Sequence, residues 1–151
     1  MTSPMPTPAL SMWFDIAIQG VRVAAFTGCS GLTATREVLD WQEGGDNNAV
    51  ARLAGRLSYT NVLLTRVVDE DSAQLLKWFN DQQTAPDREP VAIRVFHSFG
   101  SAGTIVASWT LIDAWPVRYT GPVLAAGHNG QTVAVETLEI SHQGFAGGGD
   151  D

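Results

Sequence analysis

Apolar side chains fall on alternate residues through most of this chain, and that two-residue period restricts it to a fold built mainly from β-strands. Phe14, Ile16 and Ile18 alternate with Asp15, Ala17 and Gln19. After Gly20, Val21, Val23 and Ala25 alternate with Arg22, Ala24 and Phe26, so the two runs read as an opening pair of strands. Thr33 to Gln42 also alternates, with Glu37, Leu39 and Trp41 on one face and Arg36, Val38 and Asp40 on the other, which leaves no clean dry side. From Ser58 to Val68 both phases are apolar: Tyr59, Leu63 and Val67 on one, Val62, Leu64 and Val68 on the other. A strand of that kind must be covered twice, and either a neighbouring subunit or an internal helix would provide the second cover.

The alternation is interrupted in informative places. Residues 43 to 55 carry Gly44, Gly45, Asp46, Asn47 and Asn48, which tolerate left-handed backbone and bind their own chain, so a long loop is expected there. One helix is expected after Asp71, its N-cap, with Gln74 as capping-box partner and Leu75, Leu76, Trp78 and Phe79 as the apolar stripe; Pro86 and Pro90 end it. Val91 to His97 and Thr104 to Ile112 flank the glycines of a hairpin loop, and the second run continues through Ala114-Trp115-Pro116 toward Tyr119. In the last run, Thr132 to Ser141, Val133 and Val135 share one phase while Leu138 and Ile140 share the other. This predicts a bulge near Glu136 and Thr137, or a strand buried on both sides. Seven or eight strands and one helix make a two-sheet β-barrel or sandwich with a single flanking helix. The boundaries read as an extended arm over 1–12, a β domain over 13–145 and a flexible tail over 146–151.

Composition narrows the chemistry. At 151 residues the chain is one domain able to bury roughly 70% of its unfolded surface, and its single cysteine cannot form an internal disulfide. A net charge of −7 opposes binding to nucleic acid or an anionic membrane, and no signal peptide or spanning run of apolar residues is evident. Charged residues make up 17% against about 25% in an ordinary domain; either self-association or solvation by neutral polar side chains would accommodate so little charge. Cys29 has no histidine beside it, and His97, His128 and His142 show no metal-ligand spacing, so no catalytic, metal or cofactor site is expected. Glu136 and Glu139, three apart, fall on opposite faces of a regular strand and suit an interfacial ion pair or a solvated position better than paired acid–base catalysis.

The order of short motifs is more specific than any one of them. Phe14-x-Ile16-x-Ile18-x-Gly20, Phe26 with Gly31-Leu32, and Glu37-Val38-x-x-Trp41-x-Glu43-Gly44-Gly45-x-Asn47 are followed by Asn61-Val62-x-Leu64-x-Arg66 and Leu75-x-x-Trp78. Ala114-Trp115-Pro116-x-x-Tyr119-x-Gly121-Pro122 and Val135-Glu136-Thr137-Leu138-Glu139-Ile140-x-His142-x-Gly144 close the series. Over about 13–145 this arrangement resembles the tail-tube family shared by contractile phages and the phage-like contractile injection particles of bacteria, with departures at Val67 and Ala54. The resemblance implies a non-enzymatic subunit without cofactor, six copies to a ring, and rings stacked into a hollow tube inside a contractile sheath. The implied partners are further copies of the chain, sheath and baseplate proteins, and effector cargo in the lumen. Assembly is expected in the bacterial cytoplasm, without a membrane anchor. Glu43, Gly44, Gly45, Asn47 and Asn48 are expected on a loop reaching an adjacent ring, and Glu136 and Glu139 on a strand near a subunit contact. The alternative, from a different class, is a small β-barrel module whose tryptophans line a sugar or small-molecule site; a hydrolase using Cys29 ranks behind both.

Overall fold

The computed structural model describes residues 12–18, 21–42, 50–82, 88–97, 104–124 and 133–148. Among the described residues, ten strands and one helix follow in the order β1 (Met12–Ile18), β2 (Val21–Phe26), β3 (Gly28–Ser30), β4 (Ala34–Trp41), β5 (Ala51–Tyr59), β6 (Val62–Val67), α1 (Ser72–Asp81), β7 (Glu89–His97), β8 (Ile105–Thr120), β9 (Val135–Ser141) and β10 (Phe145–Gly148). Every strand pairing is antiparallel.

Two sheets share the long strand β8. Its first part pairs with β7 and β10 in a sheet of order β2-β1-β7-β8-β10, and from Trp115 onward it pairs with β9 in a second sheet of order β8-β9-β6-β3. Near the end of the first part, in the irregular stretch between Leu111 and Ala114, lies Asp113 with φ 49°, the single non-glycine residue of positive φ among the described residues. Aspartate tolerates this left-handed conformation better than most side chains, and two residues further on, at Trp115, the strand takes β9 as its partner. The far ends of the two sheets, β2 and β3, are consecutive in the chain, and Thr27 N donates to the Thr65 carbonyl at 2.8 Å across the join. The result is a two-sheet sandwich that stops short of a closed barrel.

Its core follows the alternation. Ile16, Phe26, Ile93, Leu111, Leu64, Leu138 and Ile140 are buried between the sheets, and α1 adds Leu75. Each such side chain contributes about 1.5–3 kcal/mol by leaving water.

Several details differ from the sequence expectations. The run from Ser58 to Val68 is two strands, because the chain leaves β5 at Tyr59 and enters the sandwich at Val62. Strand β5 also occupies part of the expected 43–55 loop. The capping box is absent: the Asp71 side chain makes no cap hydrogen bond, and instead Asp69 Oδ1 accepts from Asp71 N at 2.8 Å and Ser72 Oγ accepts from Asp69 N at 3.1 Å. Residues 146–148, expected in the tail, pair with β8. Strand β9 carries neither the expected bulge nor two buried faces: Glu136, Leu138 and Ile140 are buried while Val135 is exposed. The apparent phase slip has a simple cause, since a charged residue occupies the first inward position.

Candidate assembly surfaces

Among the described residues, strands β4 and β5 pair only with each other and form a ribbon outside the sandwich. All eight residues of β4 are exposed. Leu39 opposes Leu53 and Trp41 opposes Ala51 on one face, leaving Leu39 45%, Leu53 48% and Trp41 57% exposed. The opposite face carries an exposed ion pair between Arg52 and Asp40 at 3.7 Å. A lone two-stranded ribbon is marginal in water, and an uncovered apolar face marks a surface made for another layer.

The root of the ribbon is tied firmly to the sandwich. Thr60 Oγ1 donates to the Gly31 carbonyl at 2.8 Å. The His142 Nε2–H donates to the Thr60 carbonyl at 2.9 Å while Nδ1 accepts from Gly144 N at 3.1 Å, a pair of bonds that the neutral Nε2–H tautomer satisfies. The Tyr59 ring lies against His142 and Phe145, with centroids 5.6 and 5.8 Å away. Gly31 and Gly144 have φ of 90° and 141°; a Cβ on Gly31 would stand 2.1 Å from the Asn61 carbonyl oxygen.

Inside the sandwich, Arg66 and Glu136 sit directly opposite one another on β6 and β9, both essentially without solvent contact. Arg66 Nη1 donates to Glu136 Oε1 and, at 2.7 Å, to the Ser72 hydroxyl; Nη2 donates to Asp69, and Nε donates to the Ala25 carbonyl at 3.0 Å. The Tyr119 hydroxyl completes the cluster by donating to Glu136 Oε2 at 2.5 Å. Burial opposes ionisation of Glu136, but the Tyr119, Ser72 and Arg66 hydrogen bonds prevail and hold its carboxyl below the ordinary value. Burial and the bond to Glu136 push the Tyr119 phenol up to about 12. Burial works against the Arg66 charge, yet its hydrogen bonds to Asp69 and Glu136 raise its pKa overall. The cluster joins β2, β6, β8 and β9 to the start of α1. A second buried carboxylate, Asp15, receives two 2.8 Å bonds from Arg94 on the neighbouring strand.

The expected contact residues therefore separate. Glu136 points into its own subunit, because the strand is regular and its inward phase reaches the core. Glu139 faces outward, accepts from Asn61 Nδ2 at 2.9 Å and lies 3.7 Å from Arg118. Glu43, Gly44, Gly45, Asn47 and Asn48 lie outside the described residues, between the two strands of the ribbon. Sequence reasoning missed Arg66 as the partner of Glu136. The available signal was opposite charge in two apolar phases, Val62-x-Leu64-x-Arg66 and Glu136-x-Leu138-x-Ile140.

The five tryptophans sit on four elements: Trp13 on β1, Trp41 on β4, Trp78 on α1, and Trp109 and Trp115 on β8. Trp13 is stacked on Phe96 with ring centroids 4.3 Å apart. Burial pushes the Cys29 thiol pKa up, opposite to the depression that activates a nucleophile. Among the described residues no group of His, Cys, Asp and Glu could hold a metal, and no helix is long and apolar enough to cross a membrane.

The fold defines the class: an antiparallel two-sheet sandwich carrying an anchored two-stranded ribbon. Residues 10–146 match the family described as T4-like virus tail tube protein gp19, and the chain belongs to that family. It is a structural tube subunit. No curated protein matches the sequence. Among solved structures, a chain of the anti-feeding prophage baseplate, determined with six-fold symmetry, is 29% identical, with TM-score 0.71, over 96% of this chain and 98% of that one. A chain of the sheath-tube complex of the extracellular contractile injection system PVC, in its extended state, is 19% identical with TM-score 0.72, covering 89% and 87%. A chain of the sheath/tube terminator of the same system is 18% identical with TM-score 0.73, covering 98% and 99%; these last two show the shared fold.

Proposed function

We propose that six copies of this chain close a ring and that the rings stack into the inner tube of a contractile injection particle, without enzymatic activity. The observation that carries this proposal is the β4–β5 ribbon, whose Leu39, Trp41 and Leu53 stand uncovered on a firmly anchored base. Such a face is satisfied by another copy, and homo-oligomers with closed symmetry are the common outcome. The segment that joins the two strands, with Glu43, Gly44, Gly45, Asn47 and Asn48, reaches the adjacent ring. Glu139, outward on β9, lies near a contact within the ring. The baseplate and sheath-tube structures that the chain resembles support sheath and baseplate proteins as its partners. The tube is assembled in the cytoplasm, its lumen passes effector cargo, and contraction of the sheath drives it through the target envelope. Negative-stain electron microscopy beside light-scattering mass tests this: six-fold rings or tubes are expected, and a 16.2 kDa monomer at every concentration would overturn self-assembly.

A further inference from the structure

The sandwich stops short of closure, and the gap holds an apolar cavity of about 450 Å³. Phe14, Ile93, Val95 and Trp109 of one sheet form one wall, and Cys29 and Leu32 beside the edge of the other sheet form the opposite side; no lining residue is charged. Strand β4 begins two residues after Leu32 and is paired with β5 from Ala34 to Trp41. Trp41 therefore stands about 25–30 Å from Leu32, at the roughly 3.3 Å that an extended residue spans. Continuous pairing keeps the ribbon from folding back, so the cavity of its own copy is out of reach of Trp41.

One copy thus carries an apolar knob, Trp41 with Leu39 and Leu53, and an apolar socket at the opposite end of the same ribbon. A knob and a socket on different parts of one surface make a heterologous contact, the kind that builds rings or stacks rather than two-fold dimers. Charge selects the same pairing. Strands β4 and β5 are basic, with Arg36, Arg52 and Arg56 outnumbering Glu37 and Asp40, in a chain whose net charge is −7. Two ribbons laid together would repel, whereas a ribbon laid on another copy's sandwich is attracted.

We propose that Trp41 of one copy fills the cavity beside Cys29 of a neighbouring copy, with Leu39 and Leu53 covering its rim. This contact rests on the self-assembly proposed above and names the two surfaces that meet. The chain's single cysteine lines the socket and reports its occupancy. In wild-type protein, N-ethylmaleimide should label Cys29 about tenfold more slowly in assembled rings than in dilute monomer, each state being checked by light scattering. Equal rates would overturn the contact while leaving ring formation standing; protein that stays monomeric at every concentration would overturn self-assembly and the contact with it. A second readout identifies the side chain that enters. Trp41→Cys and Leu39→Cys, each combined with Cys29→Ser, are assembled separately as a minority with wild-type protein and oxidised. A disulfide between variant and wild-type chains is expected from at least one of them, since such a bond needs Cβ atoms about 4 Å apart. With Cys29 replaced, neither variant can form the bond within its own chain. Absence of the bond from both would overturn the proposal even with Cys29 protected in the rings, and would give the socket to another part of the neighbour.

Discussion

The sandwich and the ribbon are made from the same alternating strands, yet they meet their hydrophobic and polar requirements in opposite ways. In the sandwich, buried charge is answered within the subunit: Arg66 by Glu136, Asp69 and Ser72, and Asp15 by Arg94. On the ribbon, Leu39, Trp41 and Leu53 have no covering layer among the described residues. The contrast separates what a copy needs in order to fold from what it needs in order to assemble. His142 and Tyr59 sit at the junction, so the ribbon is presented on a rigid base although its own surface is unfinished.

The largest expected effect comes from breaking the self-sufficiency of the sandwich. Glu136→Ala leaves Arg66 buried with one carboxylate fewer, and removing one partner of a buried pair costs about 3–5 kcal/mol. Glu139→Ala, three residues along the same strand, should change stability by about 1 kcal/mol or less because its partners are exposed. Urea unfolding of the monomers measures both, and equal losses would erase the distinction between the strand's two faces. The lowered Glu136 pKa fixes the sign of an acid effect: its stabilisation is present above the ordinary glutamate value of 4.5 and is lost as pH falls through the lower folded value. Wild-type protein should therefore lose this contribution below about pH 4.5, and Glu136→Gln should lack that part of the acid decline.

The ribbon is expected to respond in the opposite manner. Trp41→Asp or Leu39→Asp should leave monomer stability within about 0.5 kcal/mol, as surface changes do. Assembly should weaken by about 2 kcal/mol, near thirtyfold, if these side chains anchor a contact between copies. Scattering mass across a concentration series reads the assembly term, and urea midpoints read the monomer. A variant that unfolds early while assembling normally would reverse the assignment of the ribbon.

The same contrast explains which parts were legible in the sequence. Strands β1, β2, β7 and β8 and helix α1 were readable because a dry side and a wet side imprint a period. Strand β5 was partly lost inside an expected loop because nearly every one of its residues is exposed, which leaves no core phase to detect. The break at Thr60-Asn61 was hidden because Tyr59 and Val62 are both apolar yet serve different layers. Glu136 disguised its strand by placing a charge where the core phase begins, and its partner Arg66 lies 70 residues away, a separation no local pattern encodes. The ribbon's apolar residues were visible as a strand without a dry side, but their separation from the sandwich is a matter of pairing. Pairing is set by long-range contacts, which the alternation does not specify.

The smallest expected effect tests the outermost member of the buried cluster. Tyr119 donates its proton toward Glu136, so ionising the phenol would set a second negative charge against the carboxylate and remove its hydrogen bond. Its folded pKa is raised from 10 to about 12, so the folded state holds this proton more tightly than the unfolded chain does. That contribution is fully present below pH 10 and is lost as pH rises toward about 12. Tyr119→Phe should cost about 1.5 kcal/mol at neutral pH, as loss of a hydrogen bond to a charged group does, and should remove the alkaline decline in this window. Ultraviolet titration provides the independent check: a tyrosinate transition near pH 12 should be present in the wild type and missing from the variant. If the transition persists in Tyr119→Phe, it belongs to another group. The cluster would then end at Glu136, and the sandwich would lose its link through Tyr119 between β8 and β9.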